Sequence, residues 1–449
     1  VRSDRWIVRA ALASLAFAAA SCATLPAPGP AAPVPAPAPP AAPAPAPAPP
    51  RPGALALDGE PLIEVGLAWD LDSLTLAATE SASLTMRIDR ADTPDLAHGP
   101  SRAVRVRAAG DGAATVGHDG GSFALGPGDT LWVSTAGRDA RFGWNGRTWR
   151  GRGKVFVGPR GGLTLAASVP LEAYLLGVVP GEIGALGEGL LEAGRAQAIA
   201  ARAYTLFYRG RRGAEGFDLY GTVEDQVYGS IESERPLATR CVEGTRGLVA
   251  LSEGQPIRAN YCSTCGGVTA EVWEAWPAGA LPYLVSHADR GSQDHCAASP
   301  QYRWREEWGA GEFVLGIERW APTQQLALPP GGLGDLVDVR VESRSRSGRV
   351  WRLVVSATRG EIVIPAHVLR LVVRRPGSGN AILRSNLFKI DVRRDPATRR
   401  ALAVVASGAG FGHGVGLCQT GALGMARAGS GAESILRHYY RGIELRRLY

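Results

Sequence analysis

The sequence predicts an α+β protein, with strands and helices in separate blocks and not in alternation. Three observations carry this reading. Short β-rich segments broken by Gly, Asp and Pro fill Leu62 to about Thr164. Helical periodicity is concentrated between Pro170 and Arg209, and strand patterns then return with no regular βαβ series. At 449 residues, with 45% hydrophobic and 20% charged residues, the chain has ample material for a core, which excludes a disulfide miniprotein and wholesale disorder.

The N-terminus reads as an export signal. Arg2, Arg5 and Arg9 precede an apolar run, Ala10 to Ala20, that is too short for a permanent membrane span. Ala19, Ala20 and Ser21 then lead into Cys22, which resembles the lipobox of bacterial lipoproteins. That resemblance implies a signal peptide over 1–22, a lipid on Cys22 and a membrane tether; an ordinary cleaved signal is the alternative. Residues 23–53 are a Pro/Ala-rich linker that cannot pack a core and forms a polyproline spacer of about 3.1 Å per residue. The expected location is the cell envelope, on the periplasmic side if the cell is Gram-negative. An oxidising compartment also makes disulfides possible.

Residues 54–165 form the β-rich N-terminal part, with strand patterns such as Val104-Arg105-Val106 and Val155-Phe156-Val157. Residues 166–310 hold the helices and a Cys/His cluster: helical period from Leu171 to Leu176, then, after a break, from about Leu190 to Arg209. Strands return at Gly247 to Leu251, and residues 311–449 form a β-rich C-terminal part with strands near 337–341, 350–355, 361–364, 387–392 and 401–405. Two short helices, near 422–428 and 432–440, close the chain.

The chemistry is expected around Glu182. It follows a Pro180-Gly181 break among Val178, Val179 and Ile183, a placement that sets a carboxyl at a helix end against apolar surface and raises its pKa toward the range of a general acid. On the next helix Arg195 and Arg202 are seven residues apart and share a face with Leu191, Ala198 and Ile199. Guanidinium groups in an apolar stripe need anionic partners, which could be Glu182, another carboxylate or a ligand. Gln197 and Tyr204 form a second pair on a neighbouring face.

Five ordered stretches resemble the successive motifs of the SpoIID/LytB family: Pro170 to Glu182, Arg195 to Tyr204, Asp225 to Gly229, Cys262 to Thr269, and Gly410 to Ala422. The resemblance runs from about Leu62 to Leu448. It implies a lytic transglycosylase that cleaves peptidoglycan glycan strands already stripped of stem peptides, with Glu182 as the catalytic residue. By motif it places substrate-binding roles on Arg195, Arg202, Tyr204, Gln226, Tyr228, His413 and Gln419. This chain departs from the family pattern with arginine at 195, Ala203 and Ile183. The reaction forms a 1,6-anhydro sugar through the substrate's own 6-hydroxyl, so one carboxyl serves as acid and then base, and no cofactor is required for the chemistry. Stripped strands carry free lactyl carboxylates, and Arg195 or Arg202 is expected to read one of them. LytB-type relatives imply the alternative, a non-catalytic peptidoglycan-binding protein or enhancer of a cell-wall amidase.

Cys262, Cys265, His295 and Cys296 offer a ligand set for structural zinc, or a disulfide from Cys296 to Cys262 or Cys265. A closed set of this kind has no open position for substrate. Trp273, Trp276, Trp304 and Trp308 are either sugar-stacking faces or core. The net charge of +7 admits an anionic partner, but export and the lack of a concentrated basic stripe argue against nucleic acid. Ser263 lies in no strand-Gly-x-Ser-x-Gly-helix elbow, which argues against a serine hydrolase.

Overall fold

The computed structural model describes residues 57–79, 82–90 and 96–449. The expected signal peptide, Cys22 and the linker lie outside them. The α+β expectation holds: helices and sheets occupy separate blocks.

A seven-stranded sheet runs in the order 219–220, 62–71, 163–170, 152–157, 130–135, 84–89 and 96–101. A six-stranded sheet holds 147–150, 141–144, 73–77, 103–110, 113–118 and 121–125. Along Ser73–Ala77 burial alternates residue by residue, as a strand with one face on a core requires. Leu163–Pro170 is buried along nearly its whole length, since it pairs with strands on both sides and is covered on both faces.

That central strand delivers the chain directly into α1, Leu171–Ile183. The structure differs from the sequence expectation here: Pro180 does not end the helix but sits inside its last turns. The stop is Gly184, whose φ of 78° is costly for any residue with a Cβ. Glu182 therefore lies in the final turn. The second helix, α2, Leu191–Tyr208, packs against α1 and buries twelve residues from Ala193 to Thr205. Pro236–Gly244 forms α3, a short helix that the sequence pattern did not reveal.

Residues 303–409 build a body with its own hydrophobic core. It contains two three-stranded sheets (303–309, 401–409, 388–394; and 336–344, 350–357, 360–365) with α4, Ala310–Trp320, and α5, Ala366–Val372. The chain enters and leaves at one edge, where Arg303 pairs with Ala409. The last segment returns to the main core as α6, Gln419–Arg427, and α7, Ala432–Tyr439. The expected single C-terminal part is thus an insertion, 303–409, followed by a return segment. No single described helix is long and apolar enough to cross a membrane.

Candidate functional site

Three chain segments converge on Glu182. The first is the end of α1. The second is the loop 226–229, which α1 crosses at Gly177; a Cβ there would stand 2.4 Å from the Gly229 carbonyl oxygen. The third is a two-residue parallel bridge, in which Tyr261 and Cys262 pair with Leu417 and Cys418, bringing Tyr261 and Gln419 to the same place.

The Glu182 carboxyl is part-exposed. Its Oε1 accepts the Val227 N–H at 2.8 Å, and its Oε2 accepts the Gln419 amide at 3.4 Å. Burial raises its pKa, opposed by hydrogen bonds from Val227, Gln419 and the Tyr261 hydroxyl. Among the described residues no second carboxylate is in hydrogen-bond contact with it. This matches the environment expected from the apolar neighbours in the sequence.

Behind Glu182 lies a polar chain. Gln226 is fully buried; its carbonyl oxygen accepts from Thr205 (2.7 Å) and Tyr174 (3.3 Å), and its amide donates to the Tyr261 hydroxyl at 2.9 Å. Because the Tyr261 oxygen receives that hydrogen, its own proton is free to point at Glu182. Gln226 therefore positions Tyr261 and does not meet the substrate directly, which corrects the substrate-binding expectation.

The Arg202 expectation is also corrected. Arg202 is 0% exposed, its guanidinium forked onto Glu172 at 2.7 and 2.9 Å and donating to the Leu248 carbonyl at 2.9 Å. Glu172 accepts further from Gly247 N–H and from the Tyr449 hydroxyl. The apolar stripe did signal a buried ion pair, but its partner is Glu172, so no ligand reaches Arg202. Arg195 pairs with Glu192, whose other oxygen accepts the Ala432 N–H.

Tyr228 is packed beneath α1 against Tyr174 and Trp149, away from Glu182, because Gly177 leaves room for its ring. Asp225 is a knot that holds Arg211, Arg212 and the Tyr220 N–H. His413 accepts the Val415 N–H at Nδ1, and its pKa is lowered to about 3 by burial and by the nearby Arg370 and Arg349. It is a neutral ring tilted against Trp276, with ring centres 4.7 Å apart, and braces its loop, with no hydrogen bond to Glu182. Gln419 and Glu182 are brought together as expected. Tyr204 is buried, with its ring 6.1 Å from that of Tyr261. Trp304 and Trp308 are core residues of the insertion, whereas Trp276 carries the Arg258 guanidinium over its ring at 4.8 Å.

The cysteines regroup. Cys265, Cys296, Cys418 and Asp289 have their ligating atoms all within 4.8 Å of one another. Cys262 is outside this group because its strand pairing turns it toward Gly412, and His295 joins Asp289 and His438 in an adjoining group. The expected set is therefore corrected to Cys265, Asp289, Cys296 and Cys418. The Cys265 and Cys296 sulfurs are 3.8 Å apart, the edge expected of a tetrahedron with Zn–S bonds of about 2.3 Å. All five described cysteines are unbonded thiols. Cys418 stood beside Gln419 in the glycine-rich motif, but its partners are far away in sequence, as Asp289 is, so spacing could not reveal them. Tyr261 and Arg258 gave no pattern either.

A second cleft, in the insertion, is lined by Leu315, Val337, Arg359 and Arg394 and brings together none of the residues marked by sequence.

Residues 159–251 match the family described as Stage II sporulation protein (SpoIID), and 284–416 match a domain of unknown function, DUF8618. The chain is 24% identical over 283 residues to an uncharacterized protein of Brachyspira hyodysenteriae, covering 61% of this chain and 66% of that protein. It is 28% identical over 293 residues to stage II sporulation protein D of Bacillus subtilis, covering 62% of this chain and 75% of the relative. Against the amidase enhancer of the same organism it is 27% identical over 310 residues, covering 60% of this chain but 40% of the relative. The strand 163–170, α1 and α2 thus lie in a SpoIID domain, and the chain around it is similar to relatives of the SpoIID/LytB family.

Proposed function

We propose that this protein is a peptidoglycan lytic transglycosylase that cleaves peptide-stripped glycan to 1,6-anhydro products. The observation that supports it is the single, part-desolvated Glu182 carboxyl with hydrogen-bond donors on both oxygens. The reaction begins with the Glu182 carboxyl protonated. It protonates the glycosidic oxygen as the bond to C1 breaks, then takes the proton of the sugar's 6-hydroxyl as that oxygen closes onto C1. The carboxyl is regenerated and no water is consumed. A single carboxyl suffices because the nucleophile belongs to the substrate, unlike the paired carboxyls of ordinary glycosidases.

The test is incubation of the purified chain with amidase-stripped glycan, reading 1,6-anhydro ends by mass spectrometry. Wild type yields them and Glu182→Gln does not; wild type without such ends overturns the reading. The similarity to an amidase enhancer supports a second reading, in which the protein binds the wall and stimulates an amidase. There, Glu182→Gln would keep the full stimulation of an added cell-wall amidase.

The same reading places the protein at the cell envelope, tethered through Cys22 if the export signal acts as its residues suggest. It also gives structural zinc to Cys265, Asp289, Cys296 and Cys418. The ion would tie the 262–268 loop to α6 and supply no chemistry, since all four positions are filled by protein. Metal analysis of the purified chain checks this: about one zinc per chain in wild type and a loss in Cys418→Ser.

A further inference from the structure

Arg202 is closed off by Glu172 and Arg195 is paired with Glu192, so recognition of an acidic sugar calls for a cation that has no carboxylate partner. A row of rings supplies the direction in which to look: Tyr261 beside Glu182, Tyr204 at 6.1 Å from Tyr261, and Tyr208 at 4.6 Å from Tyr204. At its far end stands Arg258, half-buried, with its guanidinium 5.7 Å from the Tyr208 ring centre and 4.8 Å over Trp276.

Arg258 differs from its neighbours in being uncommitted. Among the described residues no carboxylate is paired with it, and its buried Nε has no hydrogen-bond partner; the Tyr208 hydroxyl lies beside its guanidinium, and its backbone N–H donates to the Tyr283 hydroxyl. Arg211, on the same Tyr208 ring, is by contrast paired with Asp225. A guanidinium removed in part from water and left without an anion is costly unless a ligand supplies one. Its planar fork suits a carboxylate, and the rings beneath it hold that fork in place.

The geometry points to Arg258, held over the Trp276 and Tyr208 rings, as the residue that reads the free lactyl carboxylate of a stripped muramic acid. This rests on the glycan-cleaving reading and deepens it: stripped strands are selected because the amide to a stem peptide would replace the anion by a neutral group. Glu182 and Arg258 then stand at two ends of one ring row, one at the scissile bond and the other at an acidic sugar further along the strand.

The experiment is equilibrium binding, which does not depend on cleavage. The full chain carrying Glu182→Gln, so that no strand is cut, is titrated with fluorescent stripped glycan oligomers and with the same oligomers whose carboxylates have been converted to carboxamides. The expected result is at least about tenfold tighter binding of the carboxylate form. Adding Arg258→Gln brings the two affinities together while affinity for the carboxamide form stays unchanged, which also shows that the variant is folded. Arg258→Lys, which keeps the charge without the fork, is expected between the two. A preference that survives Arg258→Gln overturns the assignment, as does equal binding of both glycans by the parent chain. Loss of 1,6-anhydro products in the cleavage assay would remove the enzymatic reading without touching this binding ratio.

Discussion

Arg202 and Glu182 are both ionisable side chains set into largely apolar helix faces, and their partners give them opposite roles. Arg202 meets a carboxylate in a closed pocket, so it belongs to the stability of the fold. Removing it as Arg202→Met leaves Glu172 buried and unpaired, a loss of about 3–5 kcal/mol, to be read by urea denaturation. Burial alone would raise the Glu172 pKa, but the Arg202 hydrogen bonds and charge hold it below its ordinary value. The pair's contribution is therefore complete above the unfolded-state pKa and fades as pH falls through the folded one; the variant loses that acid-side dependence. Glu182 is the reverse case, with its pKa raised by burial. It must be protonated to act as the acid, so kcat/KM falls as pH rises through that raised value. Tyr261→Phe deletes a donor that favours the ionised form, and the alkaline limb of the pH profile should move to higher pH. A limb that stays in place, or moves down, would show that Tyr261 does not donate to Glu182.

At the scale of elements, the contact that fixes Glu182 is the crossing of α1 over the 226–229 loop. Gly177 permits it, and Val227 N–H is delivered to Oε1 as a result. Gly177→Ala would drive the helix off the Gly229 carbonyl and loosen that bond, lowering kcat/KM by about tenfold with far-UV circular dichroism retained. Gly189→Ala, where a Cβ meets nothing within 4 Å, is the matched neutral control. The same scale shows what could be foreseen. The strand at 350–357 and helix α2 were legible to within a few residues because each pattern repeats over many positions. Helices α3, α4 and α5 were not foreseen, although α6 and α7, at 9 and 8 residues, were, so length alone does not decide legibility. The helix-end, apolar surroundings of Glu182 were legible from its neighbours in sequence; the placements of Tyr261, Asp289 and Arg258 were not, because each is set by residues distant in sequence. Arg202 was half legible: the buried stripe demanded an anion, yet nothing in the helix says that the anion is Glu172.

Across the whole molecule, two hydrophobic cores share one chain. The main core runs from the N-terminal sheets through α1, α2, α6 and α7, and the second lies within 303–409. A buried cation from the insertion holds them together: Arg349 is 3% exposed, and its Nη2 donates to the Cys265 and Val268 carbonyls at 2.9 and 3.0 Å. Those carbonyls flank the turn that carries Cys265, so the insertion braces the segment that connects Tyr261 to the sulfur cluster. Arg349→Met keeps the bulk of the side chain but leaves both carbonyls without this donor, at a cost of about 1.5–3 kcal/mol for bonds to a charged group. Because these bonds join the two bodies, the loss should appear mainly as lost cooperativity. Calorimetry of the wild type is expected to show one dominant unfolding transition and that of Arg349→Met two, the second core melting apart from the first. Hydrogen exchange should assign the earlier transition to 303–409 or to the 262–268 turn. A variant that unfolds in a single transition at wild-type temperature would mean that the remaining contacts, the sheet edge at Arg303 and Ala409 and the Ser345 and Ser347 bonds to Glu274, couple the bodies without this guanidinium.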